Sequence, residues 1–120
     1  MNRPNILIVD DDPEARSTIL NFLLSRFDCD FKEANDGEEA LQFVKSNPCD
    51  VMFLDVKLPK KSGIMVLKEI RDINPKIDII VVTGYSSDEV AEESMKLGAT
   101  DYAIKPLDLK ALSLKFSNIL

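Results

Sequence analysis

The stretch ILIVDDD (residues 6–12) runs from four apolar residues directly into three aspartates. A short apolar run rich in β-branched side chains predicts a buried strand, and NILIV (residues 5–9) fits that pattern. Two carboxylates about 4 Å apart repel each other by roughly 4 kcal/mol at an effective dielectric constant near 20. The three aspartates therefore need a compensating cation, or their side chains must point apart.

Similar apolar runs recur along the chain and alternate with helical patterns. Strict alternation of this kind predicts an α/β domain, in which a parallel sheet carries helices on both faces. The predicted strands lie at residues 5–9, 30–34, 51–55, 78–84 and 101–105. The predicted helices lie at about residues 13–26, 38–46, 64–73, 87–97 and from 109 to the last residue.

Local signals set the ends of these helices. Asp12 followed by Pro13 is typical of an N-cap and a first helical residue. The other predicted boundaries are a turn at Asp36-Gly37, a cap at Ser86 or Ser87, a stop at Gly98 and a cap at Asp108. The predicted inward face of the first helix comprises Ile19, Leu20, Phe22, Leu23 and Leu24.

The composition describes one folded domain of acidic character. The chain has 120 residues, of which 45% are hydrophobic and 30% charged, and its net charge is −6. An acidic domain is a poor ligand for nucleic acid, and no apolar run is long enough to span a membrane. Cys29 and Cys49 lack metal-ligand spacing, and no secretory signal precedes them. Free thiols and a cytoplasmic location are therefore expected.

The sequence contains no histidine. This excludes a Ser-His-Asp triad, a Cys-His pair and a zinc site built on imidazole. A metal ion would have to be held by oxygen ligands, which suits Mg²⁺, Ca²⁺ or Mn²⁺.

Polar residues stand where the predicted strands end. In an open α/β sheet, ligands bind beyond the carboxyl ends of the strands, where these residues converge. Acids that share a site can be neutralised by a divalent cation, for which Mg²⁺ is the natural choice. Together with a hydroxyl and an ammonium group, such a site suits phosphoryl chemistry with a carboxylate nucleophile. The residues concerned are Asp10, Asp11, Asp12, Asp55, Thr83 and Lys105.

Four segments resemble those of bacterial response-regulator receiver domains, in the same order and at similar spacing. They are ILIVDDD (6–12), FLDVKLPKKSG (53–63), VVTGY (81–85) and GATDYAIKP (98–106). The resemblance covers the whole chain. It implies a single (βα)5 flavodoxin-like domain over residues 1–120, with strand order 2-1-3-4-5, either stand-alone or cut from a longer protein.

The resemblance implies a role for each site residue. Asp55 would be the nucleophile that accepts the phosphoryl group. Asp11 would bind Mg²⁺ directly and Asp10 mostly through water, while Asp55 and the backbone carbonyl of Lys57 would complete the protein ligands. Lys105 would pair with a phosphoryl oxygen.

The resemblance also implies a switch. Thr83 would bond to the phosphoryl group, and Tyr102 would move inward to fill the space that Thr83 leaves. Taken without the family, Thr83 is an ordinary strand residue and Tyr102 a half-buried aromatic at the sheet edge. Lys57 and Tyr85 occupy the two variable positions that tune phosphoryl lifetime, and their bulk is expected to slow autodephosphorylation. The peptide bond before Pro106 would be cis.

The implied partners follow from the same resemblance. A receiver takes its phosphoryl group from a phosphohistidine, which this chain cannot supply. The donor would be a sensor histidine kinase or a phosphotransfer protein. The fourth and fifth helices and the last strand would then act on an output domain or protein, with the receiver as a monomer or as a phosphorylation-dependent dimer.

Two other functions remain open at this point. The first is a pseudo-receiver, a protein-binding module that does not use phosphate. The second is a phosphohydrolase of the haloacid dehalogenase type, which also uses an aspartyl nucleophile. The second acid of that family's DxD pattern is replaced here, because Lys57 stands two residues after Asp55.

Overall fold

The computed structural model describes residues 3–58, 61–84 and 88–120. Within them, five strands alternate with five helices, as the sequence predicts. The strands are β1 (Asn5–Val9), β2 (Asp30–Ala34), β3 (Val51–Asp55), β4 (Asp78–Thr83) and β5 (Asp101–Ile104). The helices are α1 (Pro13–Leu24), α2 (Gly37–Ser46), α3 (Gly63–Ile73), α4 (Asp88–Lys96) and α5 (Leu109–Ile119).

The strands form one parallel sheet in the order β2-β1-β3-β4-β5, which confirms the predicted fold and strand order. β1, β3 and β4 are buried along nearly their whole length, whereas β2 and β5 are more exposed. This difference follows from position, because β2 and β5 are the edges of the sheet. The long apolar runs are thus the central strands, with helices covering both faces.

Successive strand residues point to opposite faces of the sheet, and their side chains form two separate hydrophobic cores. The core under α1 and α5 includes Ile6, Ile8, Phe53, Ile80, Val82, Ile19, Leu23, Leu112 and Phe116. The core under α2 and α3, which Tyr102 of β5 also borders, includes Leu7, Val9, Leu54, Val81, Leu41, Val66, Leu67 and Ile70. Neither core covers the carboxyl edge of the central strands, where a cleft opens to solvent.

Short-range capping sets several helix ends. The Asp12 side chain accepts a hydrogen bond from the backbone N–H of Glu14, so Asp12 is the N-cap of α1 as predicted. Asp108 caps α5 in the same way. Gly98 follows α4 with a φ of 102°, a conformation that side chains disfavour, which explains why a glycine ends this helix.

Several local predictions differ from the structure, and among them β4 ends at Thr83 and β5 at Ile104, each one residue earlier than predicted. The helix α1 ends at Leu24, before the predicted end near Arg26, and Leu24 is 54% exposed rather than inward-facing. Asp36 does not form a turn with Gly37, because its side chain accepts from the backbone N–H of Glu39 and caps a helix that begins at Gly37. The capping geometry of Asp36 depends on φ and ψ values that the Asp-Gly pair does not specify.

The predicted cap of α4 at Ser86 or Ser87 lies outside the described residues. Among the residues that are described, no helix combines the length and the apolar character needed to cross a membrane. Cys29 is buried, Cys49 is half-buried, and both are free thiols, as expected.

Candidate functional site

The parallel register brings polar residues together at the carboxyl edge of the sheet. β1 and β3 are neighbours, and Val9 pairs with Leu54, so Asp10 and Asp55 follow at adjacent positions. A cleft of about 300 Å³ opens at this edge. It is lined by Asp10, Asp11, Asp12, Asp55, Lys57, Gly84 and Lys105.

Three acids in this cleft form a compact cluster. Asp10, Asp11 and Asp55 each present a carboxylate oxygen, and these oxygens lie within 4.8 Å of one another. Asp10 and Asp55 are only 2% and 5% exposed, whereas Asp11 is exposed. An all-oxygen donor set with one side open to water matches the preference of Mg²⁺ for carboxylates and retained waters. These residues therefore fit a divalent cation.

The environments of the three consecutive aspartates differ. Asp10 Oδ1 accepts from the backbone N–H of Asp12 at 2.9 Å, and Asp10 Oδ2 accepts from Lys105 Nζ at 3.2 Å. Asp11 is exposed, and Asp12 caps α1. The Lys105 ammonium group offsets part of the repulsion between these carboxylates, solvent screens the exposed Asp11, and the Asp12 side chain is bonded to the start of α1.

Lys105 also faces the end of β3. Its Nζ lies 3.7 Å from Asp55 Oδ2, so one ammonium group forms ion pairs with the buried carboxylates of both Asp10 and Asp55. Burial lowers the pKa of Lys105, but the negative charges of Asp55 and Asp10 outweigh that effect and raise it overall. Lys105 is therefore a fixed positive charge at neutral pH.

Asp55 differs from an ordinary surface aspartate. Its Oδ1 accepts from the backbone N–H of Lys57 at 3.1 Å. Burial, with a smaller contribution from the charge of Asp10, raises the pKa of Asp55 to about 6, against the opposing effects of the Lys57 N–H and Lys105. Asp55 is thus a buried carboxylate that is ionised at neutral pH but gains a proton more readily than an ordinary surface aspartate.

Gly63 holds the loop after Asp55 close to the sheet. Its backbone N–H donates to the carbonyl of Val56 at 2.7 Å, and Val56 N–H donates to Val82 O at 3.1 Å. A Cβ atom on Gly63 would lie 2.3 Å from the backbone oxygen of Asp55. Gly63 was not among the predicted site residues, although a glycine directly before an apolar helix is a usable signal for close approach.

Thr83 and Tyr102 lie on neighbouring strands. Thr83 is fully buried at the end of β4, and its carbonyl accepts from the backbone N–H of Lys105 at 2.7 Å. Tyr102 pairs in register with Val81, two residues before Thr83, and therefore lies on the same face of the sheet. The half-buried Tyr102 borders two surface clefts of about 340 and 290 Å³, towards α5 and α4.

The remaining predicted site residues are placed as follows. Lys57 is exposed at the rim of the acid cleft, and the Lys105–Pro106 peptide bond is cis. Tyr85 lies outside the described residues, so its position relative to Asp55 stays a prediction.

Arg16 of α1 contacts the backbone of Asp10 rather than its carboxylate, and the sequence did not predict this contact. Its guanidinium donates to the backbone carbonyl of Asp10 and to Glu33 on β2. Arg16 and Glu33 are 17 residues apart, and no local pattern links them.

Comparison with known proteins adds three findings. Residues 6–117 match the family model described as the response regulator receiver domain. The transcriptional regulatory protein ZraR of Escherichia coli is 44% identical over 108 residues, which cover 90% of this chain and 24% of that protein. A cyclic di-GMP phosphodiesterase of Thermotoga maritima is 38% identical over 116 residues, 96% of this chain and 30% of that protein.

The structural comparison agrees. The receiver domain of the Francisella response regulator 1452 superposes with a TM-score of 0.90 at 30% identity, covering 98% of this chain and 96% of that one. The curated relatives are longer proteins, of which this chain spans about a quarter.

Proposed function

The chain belongs to the response regulator receiver family, and on that basis we propose that it accepts a phosphoryl group from a partner phosphohistidine onto Asp55. One observation carries the proposal. Asp55 is buried at a strand end beside Asp10 and Asp11, with the Lys105 ammonium group 3.7 Å from its carboxylate. A nucleophile, an oxygen-only cation site and a fixed positive charge thus share one cleft.

The transfer itself is a displacement at phosphorus. A carboxylate oxygen of Asp55 forms the new P–O bond while the P–N bond of the donor phosphohistidine breaks. The bonding electron pair leaves with the imidazole, which then takes up a proton. Because the pKa of Asp55 is about 6, the carboxylate is ionised at neutral pH and needs no general base.

Asp10, Asp11, Asp55 and the backbone carbonyl of Lys57 would hold a Mg²⁺ ion. When bound, it supplies positive charge next to the phosphoryl oxygens. Lys105 contributes a second positive charge, since its Nζ can donate to a phosphoryl oxygen from its place between Asp10 and Asp55.

Phosphorylation would then shift a conformational equilibrium. The hydroxyl of Thr83 would form a hydrogen bond with the phosphoryl group. The Tyr102 side chain would then move inward and fill the space that Thr83 leaves. The placement of Tyr102 on the same face of the sheet as Thr83 supports this pairing. The shift in this equilibrium would change how α4, β5 and α5 pack, and these elements form the surface that an output partner would bind.

Lys57 and Tyr85 would set the lifetime of the phosphoryl group by hindering the attacking water. The exposure of Lys57 at the rim of the cleft is consistent with that role. If the Lys57→Ala and Tyr85→Ala variants lose phosphate at the wild-type rate, this part of the proposal is wrong.

The partners follow from the chemistry. The donor would be a sensor histidine kinase or a phosphotransfer protein, in the cytoplasm, where the free thiols of Cys29 and Cys49 persist. Relatives named as a transcriptional regulator and as a phosphodiesterase point to different outputs, so the proposal leaves the output open. The receiver would act alone or within a longer protein, as a monomer or a phosphorylation-dependent dimer.

The test is the intact mass after incubation with acetyl phosphate and Mg²⁺. We expect one added phosphoryl unit on the wild type, and none on Asp55→Asn or without Mg²⁺. Asp50→Asn is the matched control, since among the described residues the Asp50 side chain accepts a backbone N–H from Asn5, which an amide oxygen can also accept. No adduct on folded wild type, with no binding of beryllofluoride, would favour the pseudo-receiver.

A further inference from the structure

Arg16 is a buried charge that links the acid cleft to the edge strand β2. Its side chain is 12% exposed, and its Nε donates to Glu33 Oε1 at 3.2 Å. Its Nη1 donates to the backbone carbonyl of Asp10. A guanidinium group buried to this extent needs hydrogen-bond acceptors, and Glu33 and the Asp10 carbonyl accept from two of its five N–H donors.

The contact fixes a particular peptide unit. Asp10 donates its own backbone N–H to the carbonyl of Ala34 at 3.2 Å, and Arg16 holds its carbonyl. That carbonyl belongs to the planar peptide that joins Asp10 to Asp11. Its orientation therefore sets the direction in which the chain, and with it the exposed Asp11 carboxylate, leaves β1.

We propose that Arg16 is a positioning residue of the acid cluster. Held by Glu33, it fixes the Asp10–Asp11 peptide and keeps the Asp11 carboxylate beside those of Asp10 and Asp55, in an arrangement that binds a divalent cation. This inference rests on the proposed function in one respect, because it takes Mg²⁺ as the cation that the acid cluster binds. Hydrogen-bonded groups behind a metal site orient the ligands in front of it.

Positioning and charge make opposite predictions at this site. The guanidinium charge lies close to the acids and repels an incoming cation, so its removal alone would strengthen Mg²⁺ binding. Loss of positioning would weaken binding. The sign of the change in Mg²⁺ affinity therefore separates the two roles.

The first experiment is a calorimetric titration of the metal-free protein with Mg²⁺. We expect Arg16→Met to bind about tenfold more weakly than the wild type, the lower end of the range for residues that orient metal ligands. Arg16→Lys keeps the charge but lacks the planar fork that bridges two acceptors, so about threefold weaker binding is expected. Glu33→Gln should weaken binding in the same direction.

The matched control is Arg26→Met. Arg26 is an exposed arginine near the other end of α1, where its guanidinium lies 3.8 Å from the centre of the Phe22 ring. The substitution removes the same charge far from the acids. Its Mg²⁺ affinity should stay within about twofold of the wild type, because exposed charges are screened by salt.

A second measurement does not depend on metal. The backbone N–H of Asp12 donates to Asp10 Oδ1, so its hydrogen exchange reports on local order at the cluster. In metal-free protein, exchange of this amide should be about tenfold faster in Arg16→Met and unchanged in Arg26→Met, after normalisation to the global free energy of unfolding. A purely structural role would change only the global value.

The outcomes are distinct. Unchanged or tighter Mg²⁺ binding by Arg16→Met, beside normal binding by the wild type, overturns the inference and leaves the proposed function intact. Absence of Mg²⁺ binding by the wild type overturns the metal site of the proposed function and this inference with it. Weaker binding with faster Asp12 exchange supports both.

Discussion

The amino-end and carboxyl-end edges of the sheet both carry aspartates, but the surroundings of these aspartates differ. Aspartates stand at the amino ends of four strands, and other aspartates stand at the carboxyl ends of two. The amino-end residues are Asp30, Asp50, Asp78 and Asp101. The carboxyl-end residues are Asp10, Asp11 and Asp55.

At the amino end, the four acids are exposed or half-buried. Asp50 Oδ2 accepts from the backbone N–H of Asn5 at 2.7 Å, and Asp101 pairs with Lys115 at 3.1 Å. Each acid there has a partner of its own and completes the hydrogen bonds or charges of a strand start. Solvated pairs of this kind contribute little to stability.

At the carboxyl end, Asp10 and Asp55 are buried and share Lys105. Burial and mutual repulsion leave Asp55 with a pKa of about 6. An aspartate at a strand end therefore does not by itself indicate a site. Convergence, burial and a shared Lys105 ammonium group distinguish the carboxyl-end edge, which holds the candidate site, from the amino-end edge.

The largest expected difference between the two ends concerns their lysines. Lys105→Met should slow phosphoryl incorporation from acetyl phosphate about a hundredfold, because the transition state loses a preorganised positive charge. Lys115→Met removes the same charge from the Asp101 pair at the amino end and should change the rate by no more than about twofold. Intact mass against time measures both rates. Equal effects would mean that the two edges are electrostatically equivalent.

The next difference concerns pH. An unfolded aspartate titrates near pH 3.9, whereas Asp55 in the folded, metal-free protein titrates at about 6. The unfolded chain therefore releases this proton first as the pH rises. The free energy of unfolding should fall between about pH 4 and 6, by about 3 kcal/mol at most, and the contribution should then level off.

Asp55→Asn should remove that fall, so that its stability relative to the wild type increases from pH 4 to 7. Asp50→Asn, at the amino end, should keep the wild-type fall. Urea unfolding of metal-free protein across this pH range measures all three curves. A wild-type slope in Asp55→Asn would show that burial does not raise the pKa of Asp55.

The smallest expected effect tests packing instead of charge. Gly63→Ala should lower the free energy of unfolding by about 2 kcal/mol, because the new Cβ meets the Asp55 backbone and either α3 or the end of β3 must shift. Gly84→Ala is the matched control, since a Cβ there meets no atom within 4 Å among the described residues, and its effect should stay within about 0.5 kcal/mol. Equal stabilities in urea would show that the loop after Asp55 tolerates a side chain.

The order of the elements, the parallel sheet and most strand bounds were predictable from local patterns of residues. NILIV and VMFLD became β1 and β3 without change, and Asp12 and Asp108 became helix caps. These features depend on periodicity and on hydrogen bonds within a few residues, so they can be inferred locally. The same reasoning placed Asp10, Asp55, Thr83 and Lys105 at one edge, because parallel strands end on the same side.

Which side chains contact one another was not predictable in this way, because it depends on the packing of distant elements. The pairing of Arg16 with Glu33, the approach of Gly63 to the Asp55 backbone and the outward direction of Leu24 depend on how helices lie on the sheet. The sharing of Lys105 by two buried carboxylates joins residues 95 positions apart. Such contacts depend on strand register and on packing between distant elements, so a local pattern of residues does not predict them.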